Sequence, residues 1–174
     1  MFKIKATITC YLLPEDGPAA KAEFLNHLMN PGETWIIAYA FTLPAMVQDL
    51  LAAYRKGVPL HLYLDYSQDS DASEKLLVQE LVDAGVEVTL GTSPAGSQYI
   101  CHAKGIVSGA HSGGSVWCWE GSTNFTSMAW EQVNTALVFS STEWLDQFVA
   151  QFLALRKYAW TNERSMQLMK VDPC

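Results

Sequence analysis

The chain has 174 residues, of which 49% are apolar and 17% charged. That length is about one domain's worth, and the apolar share excludes global disorder. A formal net charge of −7 excludes a protein that holds nucleic acid by bulk positive charge, so any chemistry on phosphate has to rest on a local site.

In chain order, Phe2–Leu13 alternates apolar residues with Lys and Thr and predicts a half-buried strand. Pro18 to Met29 carries Phe24, Leu25 and Leu28 at helical spacing and ends at Asn30-Pro31-Gly32. Trp35–Phe41 is a short continuous apolar run, the pattern of a strand covered on both faces. Thr42 and Pro44 open a helix striped by Met46, Val47, Leu50, Leu51 and Tyr54, with Gly57 as its stop. Leu60–Asp65 predicts another buried strand, Ser73–Ala84 a second crossover helix and Val86–Leu90 the strand after it. Three strands joined by right-handed helical crossovers predict parallel pairing. The second half differs: Ile100–Ser108, Val116–Gly121 and Asn134–Ser140 read as strands joined without long helices, and Thr142–Tyr158 as a last amphipathic helix. No linker or repeat interrupts the chain. The expectation is a single domain over residues 1–174, an α/β sandwich whose mixed, largely parallel sheet is flanked by helices on both faces.

The first residues lack the apolar run of about 7–15 residues that a signal peptide needs, and no stretch approaches the ~20 of a membrane span. Cys10, Cys101, Cys118 and Cys174 are scattered with no CxxC spacing. These features predict a cytoplasmic protein with reduced thiols and no membrane span, or an exported form whose leader has been removed.

The chemistry-bearing segment is Tyr99-Ile100-Cys101-His102-Ala103-Lys104-Gly105-Ile106-Val107, followed by Glu120-Gly121-Ser122-Thr123-Asn124-Phe125-Thr126. On a strand His102 and Lys104 are two residues apart and leave the same face, an imidazole beside an ammonium. Asn124 follows a strand and a Gly-Ser step, a tight turn that brings an amide back to the strand edge. Together these groups can cradle a phosphate: Lys104 supplies charge, Asn124 and Ser122 neutral donors, and His102 a nucleophile or proton carrier.

This arrangement resembles the phospholipase D superfamily, whose signature is His-x-Lys followed by a Gly-Ser/Gly-x-Asn step. Here the match is His102-Ala103-Lys104 with Gly121-Ser122-Thr123-Asn124, and the flanking strands are similar over nearly the whole chain. The family pattern's Asp beyond the lysine falls on Gly109, and its Glu before the last motif strand falls on Asn134, with Glu131 one turn earlier as a substitute. The resemblance implies cleavage of phosphodiesters through a covalent phosphohistidine, with no cofactor and no metal, using two motifs. This chain has one: His27, His61 and His111 are not followed by x-Lys. A complete site would then need a second copy of the chain, which a two-fold homodimer supplies. The implied site is His102, Lys104 and Asn124 as catalytic residues, with Ser122, Asn134 and Glu131 binding substrate. Compact one-motif members resembling this are mostly nucleases, so nucleic acid, DNA or RNA, is the expected substrate. The rivals are a phospholipid hydrolase on the same site and a phosphate- or nucleic-acid-binding module of the same fold.

Blander readings stand beside these. Cys101, His102, His111 and Cys118 have zinc-binding chemistry, but neighbours on a strand point to opposite faces, so no metal site is assigned. His61 sits in a Leu-rich strand and reads as a hydrogen-bonded core residue. Asp65 and Asp69–Asp71 read as a solvated loop at a strand end. Trp117, Trp119 and Trp130 read as packing residues, with Trp130 also able to stack on a base. Arg156-Lys157 with Arg164 suggest a small basic cluster.

Overall fold

The computed structural model describes residues 2–70, 72–96, 99–109 and 115–158. Among them run β1 (Ile8–Leu13), α1 (Gly17–Leu28), β2 (Thr34–Ala38), α2 (Pro44–Arg55), β3 (Leu60–Asp65), α3 (Ala72–Asp83) and β4 (Glu87–Gly91). Then come β5 (Lys104–Ser108), β6 (Trp117–Gly121), β7 (Asn134–Phe139) and α4 (Thr142–Leu155). The strands form one sheet of order β1-β7-β6-β5-β2-β3-β4.

The α/β class, the mixed sheet and the helices on both faces are as the sequence predicts. The weighting of the sheet is not. β2-β3 and β3-β4 are parallel, whereas β1-β7, β7-β6, β6-β5 and β5-β2 are antiparallel. The cause is the connections. The first half returns through α2 and α3, which lays successive strands parallel. Among the described residues between Gly91 and Lys104 no helix carries the chain back, and β5 enters on the far side of β2 running the other way.

Two apolar layers hold the sandwich together. On one face α1, α2 and α3 pack Phe24, Met46, Leu50 and Val78 against Ile36, Leu62, Ile106 and Trp119. On the other, Phe148, Phe152 and Leu155 of α4 cover Ile37, Tyr63, Val107 and Cys118. The central strands are thus apolar on both sides, which explains the unbroken apolar run of β2. Ser141 caps α4 by accepting from the Trp144 amide at 3.0 Å, satisfying one of the helix's free N–H groups.

The first strand is shorter than expected. Residues 2–7 stay outside the sheet, and Ile4 and Ala6 pack on the α4 side instead. Trp130 is buried and belongs to the core, 5.4 Å from the ring of Phe24 and 5.9 Å from that of Trp119, so it offers no free platform for a base. His61 lies between two carboxylates, 2.6 Å from Glu87 and 3.1 Å from Glu33, with Trp35 stacked on it. Arg156 pairs with Glu87 in the same network, so it is not a free cation, and Arg164 lies outside the described residues.

Candidate active site

The candidate site is built where β2 and β3 end and β5 begins, the carboxyl end of the parallel strands, where ligands bind in open α/β sheets. The backbone of β2 continues past Ala38 and organises the rest. Tyr39 N–H donates to the Ala103 carbonyl at 2.9 Å, and Thr42 N–H donates to the Phe125 carbonyl at 2.8 Å. Phe41 forms a parallel bridge to Phe125, and its N–H donates to the buried Glu74 carboxylate at 2.8 Å. One segment thus ties the His102–Lys104 stretch to the Asn124 turn. Ala40 takes a left-handed conformation, φ 57°, within it.

His102 and Lys104 are not two outward residues of one strand. β5 starts at Lys104, and His102 sits in the irregular backbone before it. His102 is exposed, whereas Lys104 is buried to 3% exposure. The Lys104 ammonium turns back, donates to the His102 carbonyl at 2.8 Å and lies 5.1 Å above the Tyr39 ring. The His102 ring packs on the same tyrosine, 4.7 Å between centroids. Tyr39 therefore gathers both groups.

The electrostatics follow from this packing. Burial, helped by the Lys104 charge, lowers the His102 pKa below its ordinary value, against an opposing pull from Asp65. The shift favours the uncharged imidazole, the form with a free lone pair. Burial also lowers the Lys104 pKa, while Cys101 acts in the opposite direction. Burial raises the Cys101 thiol pKa, which makes it a poor nucleophile.

Asn124 is half-buried and its side-chain carbonyl oxygen is buried with no protein partner. The turn before it depends on Gly121, where a Cβ would lie 2.2 Å from the Thr135 carbonyl oxygen. Ser122 and Asn134 are joined to each other: the Ser122 hydroxyl donates to Asn134 Oδ1 at 3.1 Å and accepts from the Thr135 amide at 2.9 Å. The Asn134 amide also donates to the Ala129 carbonyl at 2.9 Å, so both residues fasten the turn. Glu131 is exposed in the 3-10 turn Ala129–Glu131 that leads into β7. Gly109, where the family pattern has Asp, follows the opposite end of β5 from His102, and its N–H donates to the Glu33 carbonyl at 2.7 Å. His111 lies outside the described residues.

Sequence reasoning missed two residues of this cluster. Tyr39 was hidden in an apolar run. Asp65, expected in a solvated loop, is 1% exposed and accepts from the Ser67 amide at 2.9 Å, the Ser67 hydroxyl and the Cys101 amide. The available signal was position, since both stand at carboxyl ends of parallel strands.

An α/β sandwich with a histidine and a buried lysine at a strand end, opposite a Gly-Ser-x-Asn turn, is the arrangement of phospholipase D-type proteins, as the motif implied. The family described as "Cardiolipin synthase, PLD-like domain" matches residues 25–156, and the chain belongs to this phospholipase D-like family. Among solved structures it is similar to Nuc from Salmonella typhimurium, a phospholipase D family member, at TM-score 0.75 and 18% identity over 90% of this chain and 97% of that one. It is similar to NucT from Helicobacter pylori at TM-score 0.74 and 15% identity, over 89% and 98% of the two chains. Phosphatidylserine synthase from Haemophilus influenzae matches at TM-score 0.61 and 12% identity, over 91% of this chain and 40% of that one. At these identities the likeness is one of fold. No curated protein matches in sequence.

Proposed function

We propose that the chain is a metal-independent phosphodiesterase, a non-specific endonuclease acting on DNA and also on RNA, whose active site is completed by a second copy of the chain. The observation that carries this reading is the convergence of an exposed imidazole and a buried Lys104 side chain on Tyr39, present once among the described residues.

The chemistry follows from those two groups. A ring nitrogen of His102 attacks phosphorus, the P–N bond forms, and the P–O bond to the leaving nucleotide breaks. The departing oxygen takes a proton from the partner's His102, which enters the reaction as the protonated member of the pair and acts as general acid. That histidine, now neutral, takes a proton from water as the water oxygen attacks phosphorus and breaks the P–N bond. Lys104 stabilises charge on the non-bridging oxygens, the Asn124 amide donates to them, and Ser122 and Asn134 hold the turn in place. Glu131 lies beside this turn in sequence and contacts substrate from the rim.

The match to Nuc and NucT over 97% and 98% of their lengths supports a one-domain nuclease. The family's description and the likeness to phosphatidylserine synthase favour a second reading, hydrolysis of phospholipids. The test is a panel of plasmid, single-stranded DNA, RNA and phosphatidylcholine vesicles in excess EDTA. Degradation of nucleic acid by the wild type and loss of it in His102→Ala are expected. A metal requirement, or full activity in the variant, overturns the mechanism. Headgroup release without nucleic-acid cleavage selects the lipid reading, and binding without turnover of any substrate selects the binding module.

A further inference from the structure

Asp65 ends β3 and is 1% exposed, an expensive place for a carboxylate unless its oxygens are matched by donors. One oxygen takes the Ser67 amide and hydroxyl; the other takes the backbone amide of Cys101, 36 residues away and one residue before His102. The stretch from Cys101 to Ala103 lies outside any strand, so its backbone polar groups need specific partners. Three of them are matched: the Cys101 amide goes to Asp65, the His102 carbonyl to the Lys104 ammonium and the Ala103 carbonyl to the Tyr39 amide. Of these three ties, the one on the N-terminal side of His102 is the Asp65 carboxylate.

We propose that Asp65 is a positioning residue of this site, holding the Cys101–His102 backbone, and with it the imidazole, in place. The inference rests on the phosphodiesterase reading above. Four titratable groups face or neighbour the imidazole from the packed elements: Tyr39 just past the end of β2, Asp65 at the end of β3, Lys104 at the start of β5 and Cys101 beside it. Of these, Lys104 disfavours the imidazolium and Asp65 favours it. Removing the carboxylate therefore moves the histidine's titration to lower pH, whereas a merely structural aspartate leaves it where it is.

The experiment compares wild type, Asp65→Asn and Asp65→Glu. In D65N, kcat is expected to fall at least tenfold with a smaller change in KM, and the acid limb of the rate profile to move to lower pH. D65E keeps the charge, so it is expected to keep the wild-type limb and recover part of kcat. The His102 ring is also titrated by NMR in all three proteins without substrate. An unchanged His102 titration in D65N, or a loss of rate that only tracks the folded fraction, overturns the proposal. If D65N does not fold, D65E decides: a limb or titration displaced from wild type overturns it, and one in place supports it. A wild type inactive on every phosphodiester sinks the functional reading, and the NMR titration then still tests the positioning role.

Discussion

Ala40 shows how much local conformation is spent on bringing Tyr39 to the histidine and lysine. The residues around it are fixed from outside: Tyr39 by the Ala103 carbonyl, Phe41 by Glu74 and Thr42 by the Phe125 carbonyl. Between them the chain must turn through φ 57°, which crowds the alanine Cβ. Such a conformation costs a non-glycine residue about 1–2 kcal/mol. Glycine would relieve this, although it adds about 0.4–1 kcal/mol of unfolded-state entropy to be lost. Ala40→Gly is therefore expected to stabilise the protein by up to about 1 kcal/mol in urea unfolding. A loss of stability would mean that the methyl contributes packing that outweighs the strain.

At the level of elements, β5 and β6 meet α4 around a buried carboxyl. Gly105 has no side chain because Glu120 and Phe148 occupy the space, a Cβ there lying 2.6 Å from each. Burial beneath α4 pushes the Glu120 carboxyl up to about 7, against a smaller opposing effect of Trp144. The folded protein thus holds this proton more tightly than the unfolded chain, whose carboxyl titrates near 4.5. Wild-type stability is then full below pH 4.5 and declines as pH rises through 7, by up to about 3 kcal/mol. Glu120→Gln, neutral throughout, is expected to match wild type at acid pH and exceed it at pH 8 in urea unfolding. Parallel stabilities across that range would contradict this. The elements themselves were largely legible, because amphipathic stripes such as Met46, Val47, Leu50 and Leu51 report a local period. What was not legible depends on distant partners. Residues 100–103 look strand-like, yet their backbone is taken by Asp65 and Tyr39 rather than by a neighbouring strand. Asp65 looks like a loop carboxylate because its partner is 36 residues away. The parallel pairing expected of the first half does not extend to the second, because among the described residues no helix lies between β4 and β5. His102, Lys104 and Asn124 stand out as candidates because their residue types and spacing sit in one short stretch of chain.

For the whole molecule, the proposed nuclease reading raises the question of how a single motif on a chain of net charge −7 would handle a polyanion. Two copies carry −14, twice the single-chain value, which repels nucleic acid at long range. In the proposed two-copy site, screening beyond about 8 Å at physiological salt would leave the field of the two Lys104 side chains to act locally. Engagement should therefore be weak and independent of sequence. The two-copy reading also makes a quantitative claim, because a nucleophile and an acid must both be histidines at position 102. If wild type and His102→Ala chains are unfolded together in equal amounts and refolded, random pairing leaves about a quarter of the dimers with both histidines. Activity per total protein should then be about a quarter of the wild-type value and fall as the square of the wild-type fraction. Independent sites in each chain would give about half and a linear fall. Sedimentation on the same samples fixes the assembly: a linear dependence, or full activity in a monomeric species, would place the whole site within one chain and remove the symmetry argument.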